Sequence, residues 1–386
     1  MKTNYLNTFL KRASIVALAL ASFTAVAQEE EETKKFDISG SVDTYFRTNL
    51  NALDTEAPTS SFANAPGFAF GMVNTVFSYQ ASENVGFVAD LVFGPRGADA
   101  VFNSTGSASI VNQAYVYWNA SDAVTITAGN FNTYLGYEVI SPTGNFNYST
   151  SYMFSYGPFS HTGVKADFAI DDNWSAMLAI MNPTDFTESN PFDTYILGAQ
   201  LGYSNDSGSA YLNFRYGNEG EPGVRAVGLD VDEDGIIDTF ANINLAPTFQ
   251  VDLTTGWDVS EDFYLGANVT YLSTGAPTIN DIELDDSSGF YGVALYPQYA
   301  TSDSFTIGLR GEYFSEFGEG VGALELDDEG DGSVFATTLT GSWTQGALTL
   351  KPELRLDSTS EDTFFDRDGE DSKSLASFVI GAVYSF

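Results

Sequence analysis

Apolar and polar residues alternate along most of this chain with the period of two that an extended strand produces. In TIGLRGEYF, residues 306–314, Ile307 and Leu309 share one face of the predicted strand, whereas Arg310 and Glu312 share the other. The same alternation runs through the segments AYLNFRYG and LTLKPELRLD. Helical periodicity is nearly absent beyond the apolar N-terminal segment. The pattern therefore predicts an all-β protein.

The alternating segments are bounded by residues that favour turns. Seven connections between them are tight turns of Asn, Asp, Ser and Gly, such as NASD, NDSG and TQGA. The eight connections that separate these hairpins are long, and the longest spans 132–159. The sixteen predicted strands are 36–49, 68–80, 84–94, 110–119, 122–131, 160–170, 173–182, 194–205, 208–217, 245–258, 262–273, 288–301, 303–315, 332–344, 347–357 and 375–386.

Strict alternation of short and long connections is the layout of an outer-membrane β-barrel, with turns on the periplasmic side and loops outside. Aromatic residues such as Trp118, Trp174 and Trp343 lie near predicted strand ends, where barrels carry interfacial girdles. A repeat of about 40 residues, typical of a propeller, is absent. The alternative is a secreted soluble β-protein. We predict one transmembrane antiparallel β-barrel of about 16 strands with short periplasmic turns and long extracellular loops.

The N-terminal segment has the features of a secretory signal peptide. Basic residues precede the apolar run ASIVALALASFT, and the sequence AVA at 25–27 supplies an A-x-A cleavage site. That run is shorter than the roughly 20 residues of a helical membrane anchor. We therefore expect a signal peptide at 1–27, an acidic leader at 28–35 and the barrel at 36–386.

Composition narrows the range of functions. The chain has 15 Lys+Arg against 52 Asp+Glu, a formal net charge of -37, and no Cys. An acidic surface repels phosphate, so we expect no nucleic-acid partner, and the lack of Cys excludes disulfides and thiolate metal sites. His161 is the single histidine, and no nucleophile-elbow or zinc-protease motif occurs. We therefore predict that the protein is not an enzyme.

Around 16 strands leave an aqueous channel in a barrel, and the connection 132–159 is the candidate for narrowing it. This loop is rich in aromatic residues, Asn and Ser, and Glu138 is its one charged residue, whereas the other long loops are acidic. A weakly charged aromatic loop favours burial, so we predict that it folds into the lumen. The alternative is a cap packed over the barrel mouth. The predicted constriction residues are Tyr137, Glu138, Asn145, Asn147, Tyr148 and Tyr152.

Six basic residues fall on the lumen faces of predicted strands. Charged rings that line a pore bias which ions pass. The alternative role is ion pairing with inward acids such as Asp43, Asp167, Glu312 and Glu353, and we expect pairing for most of them. The predicted pore-lining residues are Arg47, Lys165, Arg215, Arg310, Lys351 and Arg355.

One acidic loop carries a sharper motif, DVDEDGIID at 230–238. Asp230, Asp232 and Asp234 occupy alternate positions of a calcium loop, a glycine follows for the sharp turn, and Asp238 falls at the ninth position. The bidentate glutamate of the twelfth position is missing. The motif makes Ca²⁺ the candidate ligand of this extracellular loop, and a solvated acidic loop is the alternative. No other cofactor is expected.

The segment 129–168, GNFNTYLGYEVISPTGNFNYSTSYMFSYGPFSHTGVKADF, resembles the porin-2-type (OmpL-like) β-barrel porins, a family common in the Bacteroidetes. VFGP at 92–95, QAYVYW at 113–118 and LRGEYF at 309–314 are similar to its pattern too. The resemblance implies an outer-membrane barrel that passes solutes, and it carries over no settled substrate or functional residue. Its densest part coincides with the loop 132–159, which favours the constriction over the cap.

Together these features predict a porin of a Gram-negative outer membrane, a water-filled channel for passive diffusion of small hydrophilic solutes. The alternative is a non-channel surface barrel, either an adhesin or a calcium-dependent surface-layer or ligand-binding protein. The last strand, FVIGAVYSF at 378–386, would place Phe386 at the periplasmic interface and resembles the signal that barrel-assembly machinery reads. Membrane lipid is a further expected partner, and a homotrimer is expected only by analogy with other porins.

Overall fold

The computed structural model describes residues 35–54, 57, 61–220, 225–229, 239–244, 246–276, 278–279, 282–283, 287–318 and 320–386. Sixteen antiparallel strands in the described part close into one barrel, in which each strand pairs with its neighbours in sequence. The predicted fold class is therefore confirmed. The predicted signal peptide, and the leader up to residue 34, lie outside the described residues.

The strand boundaries agree with the alternation to within three residues. The barrel strands are β1 (Lys35–Asn49), β2 (Gly67–Ser82), β3 (Val85–Phe93), β4 (Val111–Ser121), β5 (Val124–Asn132), β6 (Ser160–Ala169), β7 (Trp174–Met181), β8 (Ile196–Asn205), β9 (Gly208–Gly217), β10 (Thr248–Asp258), β11 (Phe263–Thr274), β12 (Ser288–Ser302), β13 (Phe305–Phe317), β14 (Gly332–Gln345), β15 (Leu348–Thr359) and β16 (Ser374–Ser385).

The first and last strands close the barrel. β1 pairs with β16 from Ser41 opposite Ser385 to Asn49 opposite Ser377. Beyond the strand end, Gly40 and Phe386 exchange two backbone hydrogen bonds, each 3.0 Å long. Closure satisfies the backbone groups that an open sheet edge would leave unpaired.

The pleat separates an apolar outer face from a polar inner one. On β15, Leu354 and Leu356 point outward and are exposed, whereas Glu353, Arg355 and Asp357 point inward and are buried. β13 shows the same division, whereas the buried inward face of β16 is mostly small and apolar, with Val379, Gly381 and Val383. An apolar belt outside and polar side chains inside is the arrangement expected of a barrel that spans a membrane.

Several connections form short elements that the alternation did not predict. Two short α-helices, α1 (Pro95–Ala100) and α2 (Tyr152–Ser155), and a 3-10 helix (Gly106–Ile110) lie between strands. None of the helices in the described part of the chain is long and apolar enough to cross a membrane. Short strand pairs also form in the long connections. They are Arg225–Leu229, Thr239–Asn244, Thr278–Ile279 and Ile282–Glu283 in one small sheet, and Phe364–Phe365 with Asp371–Ser372 in another.

Candidate functional site

The connection between β5 and β6, residues 133–159 and hereafter the inner loop, lies inside the barrel. Its backbone N–H groups donate to carboxylates on the inward faces of three strands. Gly136 N donates to Asp252 of β10 (2.9 Å), Ser149 N to Glu353 of β15 (3.0 Å), and Met153 N to Glu312 of β13 (2.8 Å). Since these acceptors point into the lumen, the inner loop crosses the lumen rather than lying over its mouth.

Two of these carboxylates each accept from a pair of consecutive N–H groups. Glu353 accepts from Ser149 N and also from Tyr148 N (2.5 Å), and Glu312 accepts from Met153 N and also from Tyr152 N (2.9 Å). A backbone N–H buried without a partner is costly, and a charged acceptor makes a stronger hydrogen bond than a neutral one. The barrel wall thus supplies the acceptors that the irregular backbone of the loop lacks.

Basic residues of the wall satisfy the carbonyl groups of the same loop. Arg310 is fully buried and donates to Glu138 (2.7 Å) and to the carbonyl oxygens of Ser149 (2.7 Å) and Thr150 (3.2 Å). Arg355 also donates to the Thr150 carbonyl (2.8 Å). Buried charges persist only when they are paired and hydrogen-bonded, and here the loop itself supplies the partners.

Aromatic and Met side chains of the loop lie over glycines of the wall. A β-carbon at Gly308 would overlap the Phe146 ring, and one at Gly381 would overlap the Tyr148 ring. Gly266 stands in the same relation to Tyr137, and Gly292 to Met153. Glycine lets another group approach the backbone closely. These four glycines, hereafter the seat glycines (Gly266, Gly292, Gly308 and Gly381), therefore allow the loop to pack flat against the wall.

Tyr148 bridges three strands of the wall. Its hydroxyl donates to Asp43 of β1, its N–H donates to Glu353 of β15, and its ring covers Gly381 of β16. Burial, and the Asp43 carboxylate next, raise the pKa of Tyr148, so the hydroxyl stays protonated as a donor. The ring is fully buried.

The predicted constriction residues all lie in the inner loop, inside the barrel. Glu138, Asn147 and Tyr148 are buried against the wall, as are Asn145 and Tyr152. The sixth, Tyr137, stacks on Tyr296 with ring centroids 4.2 Å apart and is half-buried. These side chains therefore attach the loop to the wall, and their effect on the width of the pore stays a prediction.

The six predicted pore-lining residues all point inward, but they divide by exposure. Arg47, Arg215, Arg310, Lys351 and Arg355 are at most 6% exposed. Lys351 donates to the Pro142 carbonyl (2.7 Å), and Arg215 pairs with Glu219. Lys165 alone among the six keeps a larger exposure, with 20% of its side chain accessible and an ion pair to Asp167 of 2.7 Å.

The half of the barrel wall that carries Lys165 differs from the half beneath the loop. Along β4–β9 the inward side chains are mostly uncharged, and about half of them are only partly buried. The part of the lumen beside these partly exposed side chains is hereafter the crescent. Its partly exposed lining includes Tyr115, Tyr117, Thr125, Ala179, Gln200 and Tyr211.

At the long-loop end, a cavity of about 230 Å³ lies between the inner loop and the next long loop. Arg215, Glu219 and Thr248 contribute to its lining. Beside it, Asp185 accepts hydrogen bonds from Phe159 N and Ser160 N, both 2.7 Å. Burial raises the pKa of Asp185 to about 7. Asp185 thus fixes the point where the inner loop re-enters β6.

The calcium-like motif at Asp230, Asp232, Asp234 and Asp238 lies outside the described residues, so its role stays a prediction. Within the described residues, no group of three or more His, Asp or Glu side chains is placed to hold a metal ion. The single histidine, His161, is buried at the start of β6, and its Nε2 lies 2.9 Å from the Thr133 hydroxyl.

Several residues of this site were not predicted from the sequence, among them Asp252 and Asp185, which accept from the backbone of the inner loop. Arg96 of α1 is buried and donates to the carbonyl oxygens of Ile140 (3.0 Å) and Tyr148 (3.3 Å), yet it lies in a connection and outside the strand pattern. The seat glycines were also missed. The signal that could have found them is a glycine on an inward position of a strand, because glycine otherwise weakens strands.

The family described as "Putative beta-barrel porin-2, OmpL-like" matches residues 35–386 of the chain. No curated protein matches the chain in sequence.

Solved structures of outer-membrane proteins share the fold at low identity, and the following three are among them. A loop-deletion mutant of OmpT, an outer membrane protein of Vibrio cholerae, has a TM-score of 0.59 at 11% identity and covers 92% of this chain and 100% of its own. The trimer form of OmpT has a TM-score of 0.56 at 11% identity, covering 92% and 99%. The outer membrane channel DcaP of Acinetobacter baumannii has a TM-score of 0.57 at 13% identity, covering 94% and 100%.

Proposed function

This chain belongs to the β-barrel porin-2 (OmpL-like) family of the Gram-negative outer membrane, and on that premise we propose that it forms a water-filled channel for passive diffusion of small hydrophilic solutes, narrowed by the inner loop. The observation that carries the proposal is the division of the lumen. The inner loop occupies the side along β10–β16, and the wall along β4–β9 keeps partly exposed polar side chains. A barrel of about 16 strands is wide enough to hold both a folded loop and water.

The attachment of the inner loop supports a fixed constriction. Its backbone is hydrogen-bonded to charged residues on β10, β13 and β15, and its side chains pack on the seat glycines. Moving the loop would break many of these buried contacts together. Each broken hydrogen bond would leave a buried charge or N–H group without a partner, at a cost in free energy.

Planar-bilayer recordings of the refolded protein test the channel. We expect single-channel current from the full barrel. A folded barrel without open-channel current would overturn the proposal and support the alternative from the sequence, a non-channel surface barrel that binds ligands through its acidic loops.

Removal of 138–156 tests the constriction. We expect the single-channel conductance to rise, roughly twofold if the loop covers about half of the lumen. The control removes 362–371 from the loop between β15 and β16, whose short strand pair lies outside the barrel sheet. Equal conductance of the 138–156 deletion and the full chain would contradict the constriction while leaving the channel intact.

The homotrimer belongs to the same proposal. One solved structure of OmpT is of its trimer form, which supports the expectation for a barrel of this fold. Mass measurement of the detergent-solubilised protein distinguishes a trimer from a monomer.

A further inference from the structure

We infer that the Lys165–Asp167 ion pair on β6 sets the charge selectivity of the pore, and that the pore favours small hydrophilic solutes without net charge, either neutral or zwitterionic. This inference rests on the proposed channel function. It goes beyond it by naming the residues that discriminate between solutes and the class of solute that they admit.

Accessibility singles out this pair. The side chains of Lys165 and Asp167 are 20% and 40% exposed. The other charged residue on the inward faces of β4–β9, Arg215, is 6% exposed and already bonded to Glu219 and Gln250. A permeating ion in the crescent therefore meets the charges of Lys165 and Asp167 directly.

The direct cross-strand neighbours of the pair carry no charge. Across the neighbouring strands Lys165 lies opposite Thr127 and Ala179, and Asp167 lies opposite Thr125 and Met177. These side chains are uncharged, and Ala179 is too small to cover the ammonium group. Across these two strands, the two charges are balanced by each other.

The geometry keeps both charges close to the wall. Lys165 Nζ lies 2.7 Å from Asp167 Oδ2 and 5.7 Å from the centre of the Phe131 ring. A pair of this kind presents a donor and an acceptor side by side to a passing solute, with little net field. A zwitterion can satisfy both groups, and a sugar hydroxyl can bond to either. An ion of one sign gains from one charge and is repelled by the other.

Two single variants separate the charges. Lys165→Gln leaves Asp167 unbalanced and should raise the K⁺ over Cl⁻ permeability ratio, whereas Asp167→Asn leaves Lys165 unbalanced and should lower it. We expect changes of roughly twofold to fivefold, the size of one unit charge acting at contact distance in water. Reversal potentials in a KCl gradient measure this permeability ratio. One side holds about 1 M salt, because that concentration shortens the Debye length to about 3 Å and screens the distant acidic loops. The wild-type ratio should lie near one under these conditions.

A matched control exists on β1. Lys35 and Asp37 are also a lysine and an aspartate two residues apart, and they form an ion pair of 3.2 Å. Their side chains, at the short-turn end of the barrel, are 71% and 55% exposed. Lys35→Gln and Asp37→Asn should leave the permeability ratio unchanged, because a freely solvated charge acts weakly on a passing ion. Equal rates of arabinose entry into proteoliposomes of wild type and both β6 variants would show that the pore kept its width.

The outcomes are distinct. Conducting Lys165→Gln and Asp167→Asn channels with the wild-type permeability ratio, or with shifts in the same direction, would overturn the selectivity inference and leave the channel proposal standing. A wild-type ratio far from one in high salt would overturn the stated solute class. Absence of current in the wild type would instead overturn the proposed channel function.

Discussion

Two regions of the barrel wall, the open half along β4–β9 and the filled half along β10–β16, have the same strand geometry and different interiors. The inward faces of β10–β16 carry eight buried charged residues, Asp252, Arg310, Glu312, Glu316, Lys351, Glu353, Arg355 and Asp357. Six of them bond to the inner loop, whereas Glu316 accepts from the loop between β13 and β14 and Asp357 accepts from Arg355. The inward faces of β4–β9 carry three, of which Lys165 and Asp167 keep exposed side chains. Polar residues inside a barrel therefore do not by themselves indicate contact with a water-filled pore.

The difference in inward charge follows from how much of the inner-loop backbone each half must bind. An irregular loop brings backbone groups without partners, and charged side chains are strong donors and acceptors for them. The half beneath the inner loop also supplies the seat glycines on β11, β12, β13 and β16. The other half contacts the start of the inner loop, where Tyr134 lies over Gly198 and donates to the Phe214 carbonyl. It bonds to fewer backbone groups of the loop, and inward residues such as Thr125 and Ala179 are small and neutral.

The largest effect is expected from Arg310→Met in the filled half. The substitution keeps most of the side-chain volume but leaves Glu138 and Glu312 buried without their cation. Breaking a buried ion pair by removing one partner costs about 3–5 kcal/mol. The free energy of unfolding, measured by tryptophan fluorescence in vesicles against urea, should fall by that amount.

Lys165→Met in the open half is the comparison for Arg310→Met. Its pair is partly exposed, so the loss should be at most about 1 kcal/mol. Losses of equal size in the two variants would show that the halves do not differ in the way the burial indicates.

Gly308→Val is expected to have the next largest effect. The added side chain would displace the Phe146 ring from its seat, and overpacking of a close-packed site costs about 1–3 kcal/mol. Gly311→Val on the same strand is the control, because no atom lies within 4 Å of a β-carbon there. We expect Gly308→Val alone to lower the free energy of unfolding. A similar loss in Gly311→Val would point to the strand backbone instead of the seat.

A pH-dependent effect is expected at Asp185, beside the point where the inner loop re-enters β6. Its pKa is raised to about 7 by burial, whereas an unfolded Asp has a pKa of about 3.9. The folded state therefore binds the proton more tightly, so the contribution of Asp185 to stability is greatest at acid pH and is lost as pH rises from about 4 to about 7, with a slope of at most about 1.4 kcal/mol per pH unit.

Asp185→Asn should remove that slope. Asn has the same shape, tolerates the positive φ of 65° at this position, and can still accept from Phe159 N and Ser160 N. Unfolding of both proteins at a series of pH values measures the difference. Parallel pH profiles would show that Asp185 does not titrate in this range.

The barrel itself could be predicted from the sequence because every strand repeats one simple pattern. For β9, 208–217, the predicted and observed boundaries coincide. At β10 the prediction began at 245, and the strand begins at Thr248. Pro247 directly precedes it, and Pro has no N–H to donate to a sheet. Placement of the inner loop inside the barrel also followed from its low charge and aromatic composition.

The contacts of the inner loop could not be predicted in the same way. Which carboxylate meets which N–H depends on barrel shear and on the path of the loop, and neither leaves a local signal. Glu312 and Glu353 look identical to lumen-lining acids in the sequence, and Arg310 looks like a pore residue. Only the three-dimensional arrangement shows that Thr150 is held by Arg310 and Arg355 together.

Tyr148 has a consequence for how the barrel can come apart. It contacts β15, β16 and β1 at once. A residue from the middle of the chain therefore bridges the junction between the first and last strands. Opening the barrel at β1 and β16 requires loss of the Tyr148–Asp43 hydrogen bond and of the packing of the ring on Gly381, in addition to the ladder between the strands. The segment that narrows the lumen in the proposed channel therefore also holds the first and last strands together, and loss of its contacts would weaken the closure of the barrel.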